Sequence, residues 1–131
     1  MKQWEPPFRI GVLAKRSGRS VHTIRWYESQ GLLPGVGRDA GDRRVYDQRH
    51  VGWLDLMDRL RKTGMSIAEM REYTKLVKLG NITLEERRAL LASHRDRVRA
   101  TIDELARAVE LLDHKIDFYA EWRATGKRPQ V

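Results

Sequence analysis

Ser20, His22, Thr23 and Arg25 stand at the start of an apolar-periodic stretch, and all four carry groups that hydrogen-bond to nucleic acid. Arginine pairs bidentately with guanine in the major groove, and threonine meets a thymine methyl or a phosphate. Further on, Arg38, Arg43 and Arg44 gather near Tyr46, three guanidinium groups able to lie along a phosphate strand. Arg16, Arg61 and Lys62 are further candidates for gripping phosphate. Other chemistries find little support. His22, His50, His94 and His114 are scattered without metal-ligand spacing, and Glu110, His114 and Asp117 on one helix face read as ion-pairing residues. Gly35-Val36-Gly37 is too short for a phosphate-binding fingerprint, and no serine sits in a nucleophile elbow beside a paired base. The absence of cysteine removes disulfides, thiol nucleophiles, thiolate zinc sites and thiol redox sensing. The sequence predicts no enzyme, no metal and no cofactor.

The elements that must position these groups fit a chain of 131 residues, enough for one compact unit with an extension. With 40% hydrophobic and 34% charged residues the chain can build a core. No run approaches the ~18 apolar residues of a membrane span, and the start from Met1 to Pro7 lacks the apolar centre of a signal peptide, so the expected location is the cytosol, with no membrane partner. The net charge is +8 and the pI about 10.2, a balance suited to a polyanion. Residues 9–46 hold eight basic groups against three acids, whereas residues 65–131 hold 13 against 11. The first third therefore faces the polyanion.

Residues 1–7 read as an N-terminal arm, with Trp4 as a candidate anchor. Ile10, Leu13 and Ala14 follow helical spacing until Gly18 breaks it. Ser20 can cap a second helix with Val21, Ile24 and Tyr27 inward, ending at Gly31. Two short helices around a glycine-bearing turn make a helix-turn-helix. The glycines and aspartates around residues 35–42 then predict a small β-hairpin reaching Tyr46. Asp47 caps a helix with Val51, Leu54, Met57 or Leu56, and Leu60 inward, and Ser66 with Glu69 forms a capping box for another that carries Ile67, Met70, Tyr73, Leu76 and Val77.

Thr83 and Glu86 spell a further capping box, after which neither Gly nor Pro appears until Gly126. That predicts a helix of about 40 residues, roughly 60 Å long at ~1.5 Å per residue. Leu84, Leu91, Val98, Leu105, Leu112 and Tyr119 recur every seven residues, and Ile102, Val109 and Ile116 fill the positions four later. This heptad seam has no place to bury itself within so short a chain. Nine such side chains represent a gross gain of about 13–27 kcal/mol if covered, which predicts a homodimer through residues 81–122. Residues 123–131 read as a tail.

The stretch from Phe8 to Gly35 resembles the opening of the MerR family of winged helix-turn-helix transcription regulators. Ile10, Gly11, Ala14, Gly18, Ser20, Thr23, Arg25, Trp26, Tyr27, Glu28, Gly31 and Leu32 carry the resemblance. Arg38 and the Arg44-x-Tyr46 pair match the family's wing, while Arg61, Lys62, Gly64 and Ser66 match its second helix pair. One departure is Asp42-Arg43, where the family often has glycine and an aromatic residue before the arginine; it adds a carboxylate and a guanidinium group to this wing.

The resemblance implies a mainly α fold, with a winged helix-turn-helix domain over residues 8–80 followed by a long dimerisation helix. It implies that Arg25 with Trp26 and Tyr27 contacts bases or backbone, and that Arg44 and Tyr46 contact backbone. Glu28 is expected to brace a neighbouring arginine, because phosphate repels a carboxylate. The family's members bind pseudo-palindromic promoters as dimers and distort an over-long spacer for RNA polymerase. The effector class is left open, and Tyr73, Phe118, Tyr119 and Trp122 are candidate linings of a small-molecule pocket. Two other readings of the residues stand beside this one: an architectural DNA-bending or excisionase-type protein, and a coiled-coil interaction protein.

Overall fold

A computed structural model describes residues 5–130; Trp4, and with it the expected anchor of the arm, lies outside the described residues. The chain order is α1 (Ile10–Ser17), α2 (Val21–Ser29), β1 (Gly37–Arg38), β2 (Arg44–Val45), α3 (Gln48–Lys62), α4 (Ile67–Lys78), a 3-10 turn at Asn81–Thr83, and α5 (Leu84–Thr125). The described residues divide into two compact units, one running to Leu91 and the other starting at Ala92.

In the first unit, local signals in the sequence place each helix. Gly18 adopts φ 69°, a left-handed conformation that ends α1 after two turns at no steric cost. Two residues later the Ser20 hydroxyl accepts the Thr23 amide at 3.0 Å and starts α2. Asp47 accepts the Arg49 amide at 2.9 Å at the start of α3, while His50 Nδ1 accepts the Asp47 amide at 3.0 Å. His50 is buried, and its Nε2 lies 2.8 Å from the Pro34 carbonyl. With Nδ1 accepting, Nε2 carries the proton and donates it, so this histidine ties α3 to the segment ahead of the wing. Ser66 caps α4 through the Glu69 amide at 3.1 Å.

The apolar stripes of these helices meet in one core. Leu13, Ile24, Tyr27, Leu32, Leu54, Met57 and Met70 are fully buried there. Trp53 stacks on Tyr73 with ring centroids 5.5 Å apart and donates from its indole nitrogen to the Leu32 carbonyl at 2.6 Å. Polar ties fix the helix-turn-helix on this core. Arg19, in the turn between α1 and α2, reaches Asp55 and Asp58 of α3 at 3.4 and 3.2 Å. Arg71 of α4 holds the end of α2 through the Gln30 carbonyl at 2.8 Å and the Gln30 side chain at 2.6 Å.

β1 and β2 pair antiparallel, Gly37 opposite Val45 and Arg38 opposite Arg44. A third segment joins them, because Phe8 exchanges two backbone hydrogen bonds with Tyr46, at 2.8 and 2.7 Å. Residues just ahead of α1 are thus part of the wing, whereas the sequence reading assigned only residues 1–7 as an arm and gave Phe8 no partner. Within the arm, Glu5 pairs with Arg16 at 2.7 Å. Asp42 takes φ 62°, a positive value that glycine adopts most readily. Aspartate tolerates that region better than most residues, and Asp39 Oδ1 stabilises the loop by accepting the amides of Gly41 and Arg43 at 2.9 and 3.0 Å.

The second unit consists of the distal part of α5 and the residues after it. Ile102, Leu105, Val109, Leu112, Ile116 and Tyr119 are all more than half exposed. The predicted seam differs at its start: Leu91 packs against the core of the first unit, and Leu84 opens α5 beside exposed Leu79 and Ile82. The expected Thr83–Glu86 capping box also gives way. The Thr83 hydroxyl lies 2.6 Å from the Leu76 carbonyl and 3.0 Å from that of Gly80, donating into the end of α4.

Candidate nucleic-acid interface

α2 divides into a core stripe and an outer stripe, as 3.6-residue periodicity requires. Ile24 and Tyr27 are fully buried, while His22 and Arg25 are exposed and Thr23 and Trp26 lie between. Tyr27 decides between two expectations: its spacing set it inward beside Ile24 and the resemblance implied a DNA contact, and it falls on the core stripe, so no surface of it reaches DNA. Its hydroxyl has no hydrogen-bond partner among the described residues, and its ring meets Trp26 edge-on at 5.1 Å. Ser20 and Thr23 are largely engaged with each other, the Ser20 hydroxyl also lying 2.9 Å from that of Thr23. His22 and Arg25 are left as the most available polar side chains on the outer stripe.

Between α2 and the wing lies a cleft of about 520 Å³ lined by Arg9, Ile10, Arg25, Glu28, Arg38, Asp42, Arg43, Arg44 and Tyr46. Five guanidinium groups and two carboxylates make its walls strongly positive. Among the described residues Arg25 and Arg43 have no ion-pair partner within 4.0 Å and both are exposed, although Arg43 also acts electrostatically on the Asp39 carboxylate. Arg44 is held by Glu28 at 3.0 Å, the brace expected of that carboxylate, and still leaves half of its side chain exposed. Arg38 donates to the Asp42 carbonyl at 2.8 Å. Arg9, which the sequence reading counted only as charge, enters this wall by pairing with Asp39 at 3.0 Å. Only the Phe8–Tyr46 register places it there, and no sequence motif announces that register.

Tyr46 lines the cleft, yet it is 2% exposed. Burial, helped by the Glu28 carboxylate beside it, pushes its phenol above the usual tyrosine range, so it remains a neutral donor. It is better placed to set the wing's seat than to cover a phosphate strand. Asp39 is held below the usual carboxylate range, chiefly by the Arg43 amide, and so stays ionised in the loop it organises.

The phosphate candidates are also tied down by neighbours. Arg16 pairs with Glu5, donates to Gln48 at 3.0 Å and lies 4.4 Å over the Phe8 ring. Arg61 stacks over Trp26 at 4.5 Å, and Lys62 pairs with Asp58 at 2.9 Å. All three remain on the surface, where a phosphate can share their charge. Of the pocket candidates, Tyr73 is in the first unit stacked on Trp53, while Phe118, Tyr119 and Trp122 cluster with one another in the second. Lys115 and Arg128 lie over that distal cluster, Arg128 at 5.8 Å from Phe118 and 5.6 Å from Trp122. Among the described residues no cluster of histidine and acidic side chains is arranged to hold a metal, and no helix is long and apolar enough to cross a membrane.

Comparison with known proteins accords with this geometry. Residues 8–77 match the model of the MerR HTH family regulatory protein, and residues 51–115 match that of the MerR DNA-binding region. An uncharacterised HTH-type transcriptional regulator of Haemophilus influenzae is 36% identical over 113 residues, 86% of this chain and 84% of that protein. The HTH-type transcriptional regulator AdhR of Bacillus subtilis is 37% identical over 89 residues, 68% of this chain and 64% of that one. Among solved structures, HiNmlR, a MerR family regulator lacking the sensor domain and bound to promoter DNA, superposes with a TM-score of 0.77 at 34% identity, covering 93% of this chain and 97% of that one. A MerR family regulator of Listeria monocytogenes gives 0.78 at 34% identity, with 86% of each chain covered. With its helix-turn-helix, its arginine-lined wing and its long terminal helix, the chain belongs to the MerR family of DNA-binding transcription regulators.

Proposed function

We propose that the protein acts in the cytosol as a homodimer joined through α5, binds two half-sites of one pseudo-palindromic promoter, and activates by distorting an over-long spacer so that RNA polymerase can use it. The arginine-lined cleft between α2 and the wing carries this reading, since a duplex that takes α2 into its major groove from this side would meet the wing's arginines along the neighbouring phosphates. In that pose Arg25 and His22 read base edges, and Arg38, Arg43 and Arg44 contact backbone. The exposed seam from Ile102 to Tyr119 supports the dimer.

Charge gives the pairing a direction. Residues 84–101 carry five basic groups against three acids, whereas residues 102–122 carry two against six. Antiparallel helices set each basic half against its partner's acidic half, while parallel helices set like against like. Each base pair added to a promoter spacer turns one element by roughly 34–36° relative to the other, at ~10–10.5 bp per turn. A dimer that kinks and untwists the centre of the site can restore the register.

The test is a reporter driven by promoters of graded spacer length. The expected result is activation only where the spacer exceeds the usual length, together with a retarded, bent complex on the same DNA. Unchanged or merely repressed transcription at every spacer length would leave a DNA-bending architectural protein in place of an activator.

A further inference from the structure

Only Leu79 to Thr83 separate α4 from α5, and this joint is held by polar groups. Its apolar side chains point outward: Leu79 is 57% exposed, Ile82 85% and Leu84 57%. Inside it, Arg87 reaches back from the first turn of α5 to the carbonyl end of α4. Its Nη2 donates to the Gly80 carbonyl at 2.6 Å and lies 3.3 and 3.5 Å from those of Val77 and Leu76, while its Nε donates to the Thr83 hydroxyl at 3.0 Å. Thr83, itself buried, passes its own proton on to the Leu76 carbonyl. The last carbonyls of a helix have no partner within it and carry partial negative charge, so a guanidinium fork from the next helix satisfies both needs together. One turn further, Leu90 and Leu91 pack against the core. The first turns of α5 are thus held by the apolar contacts of Leu90 and Leu91 and by the polar tie of Arg87 and Thr83.

We propose that Arg87 is a positioning residue that fixes the angle at which α5 leaves the reading unit, and thereby the half-site spacing that the dimer accepts. This rests on the dimeric reading above. Through a stiff joint the two reading units meet the duplex at one separation, whereas a loose joint lets each unit find its half-site over a range. Lysine keeps the charge but has one donor nitrogen in place of a planar fork, so it cannot hold the α4 carbonyls and the Thr83 hydroxyl together.

The experiment uses the full chain and an inverted-repeat duplex that the wild-type protein selects from random DNA, with versions whose centre is lengthened or shortened by one or two base pairs. The wild type should lose about tenfold or more in affinity at altered spacing. Arg87→Ala should stay within about threefold across the set while binding a single half-site as the wild type does. Arg87→Lys should fall between them, and Thr83→Val, which removes only the hydroxyl, should shift in the same direction by less. General destabilisation would weaken every duplex alike and leave the spacing profile unchanged. A wild-type profile in folded Arg87→Ala overturns the proposal; should that variant not fold, a wild-type profile in Thr83→Val does so instead. A wild type that binds the inverted repeat tightly at every spacing overturns the proposal, whereas one that binds the inverted repeat no better than a single half-site overturns the dimeric reading itself, and both results are visible before any variant is made.

Discussion

The two units of the molecule handle their side chains in opposite ways. The first buries its apolar stripes, caps its helices and braces most of its arginines against its own carboxylates. The second leaves Ile102, Leu105, Val109, Leu112, Ile116 and Tyr119 in water along one helix. A 3.5-residue repeat on a single helix has no partner surface within itself, so the first unit has a core of its own while the second holds an apolar seam that a second copy would cover under the proposed reading. On the function proposed above, sequence reading falls to the unit with the closed core and assembly to the one with the open seam.

Breaking the open unit should have the largest effect. Leu105→Asp with Leu112→Asp puts two charges into the seam; sedimentation at micromolar concentration should show monomers, and affinity for the inverted repeat should fall by about a hundredfold or more as the benefit of two linked sites is lost. The helical signal and cooperative melting of the first unit should persist. A dimer that survives both changes would remove the contrast drawn here.

The converse test empties the closed core. Leu54→Ala in the fully buried centre should cost about 2–5 kcal/mol in denaturant unfolding while leaving the association state of folded protein unchanged. Next in size, Arg25→Ala should relax base preference at one position of each half-site, by about 1–3 kcal/mol per lost contact, whereas Arg44→Ala should weaken all sequences and lower the salt slope by about one per subunit. Binding isotherms on specific and random duplexes at several salt concentrations separate the two. Identical behaviour would merge the reading and gripping roles assigned to α2 and the wing.

Smaller effects sharpen the picture of the internal braces. Lys62 foremost, with Arg19, holds Asp58 below its ordinary carboxylate value of 3.8. A group whose value is lowered in the folded state stabilises above its unfolded value and loses that contribution as pH falls through the folded one. The stability difference between wild type and Asp58→Asn should therefore be fully present above about pH 5 and shrink below about pH 4 in thermal melts. Smallest of all, Asp42→Gly relieves a positive φ and removes an exposed negative charge near the duplex; wing stability and DNA affinity should both rise, by about 0.2–1 kcal/mol.

Most of the fold was legible because it rests on local signals. Ser20, Asp47 and Ser66 cap the helices they appeared to cap, and Gly18 and Gly64 lie where the chain turns. Leu13, Ile24, Leu54, Met57 and Met70 fall on the stripes their spacing predicts. The interface was legible in charge and less so in roles. Tyr27 carries two opposed signals, a helical phase that turns it inward beside Ile24 and a resemblance that implies a contact, and the phase prevails. Thr83 looks like half of a capping box, and only the approach of α4 shows that its hydroxyl turns the other way. Arg9, Arg16 and Arg71 act through partners 30, 32 and 41 positions away, separations at which no periodic pattern survives.

The stitch between Phe8 and Tyr46 makes the wing's seating observable without any DNA. Both amides are locked by the same pair of backbone bonds, so they can exchange with deuterium only when that three-segment ribbon comes apart. Their exchange, set beside that of amides in α3, would time the unseating of the wing against the opening of the whole unit. It would also reveal how a fusion or a cut upstream of Phe8, far in sequence from any arginine of the hairpin, loosens the hand that holds the duplex.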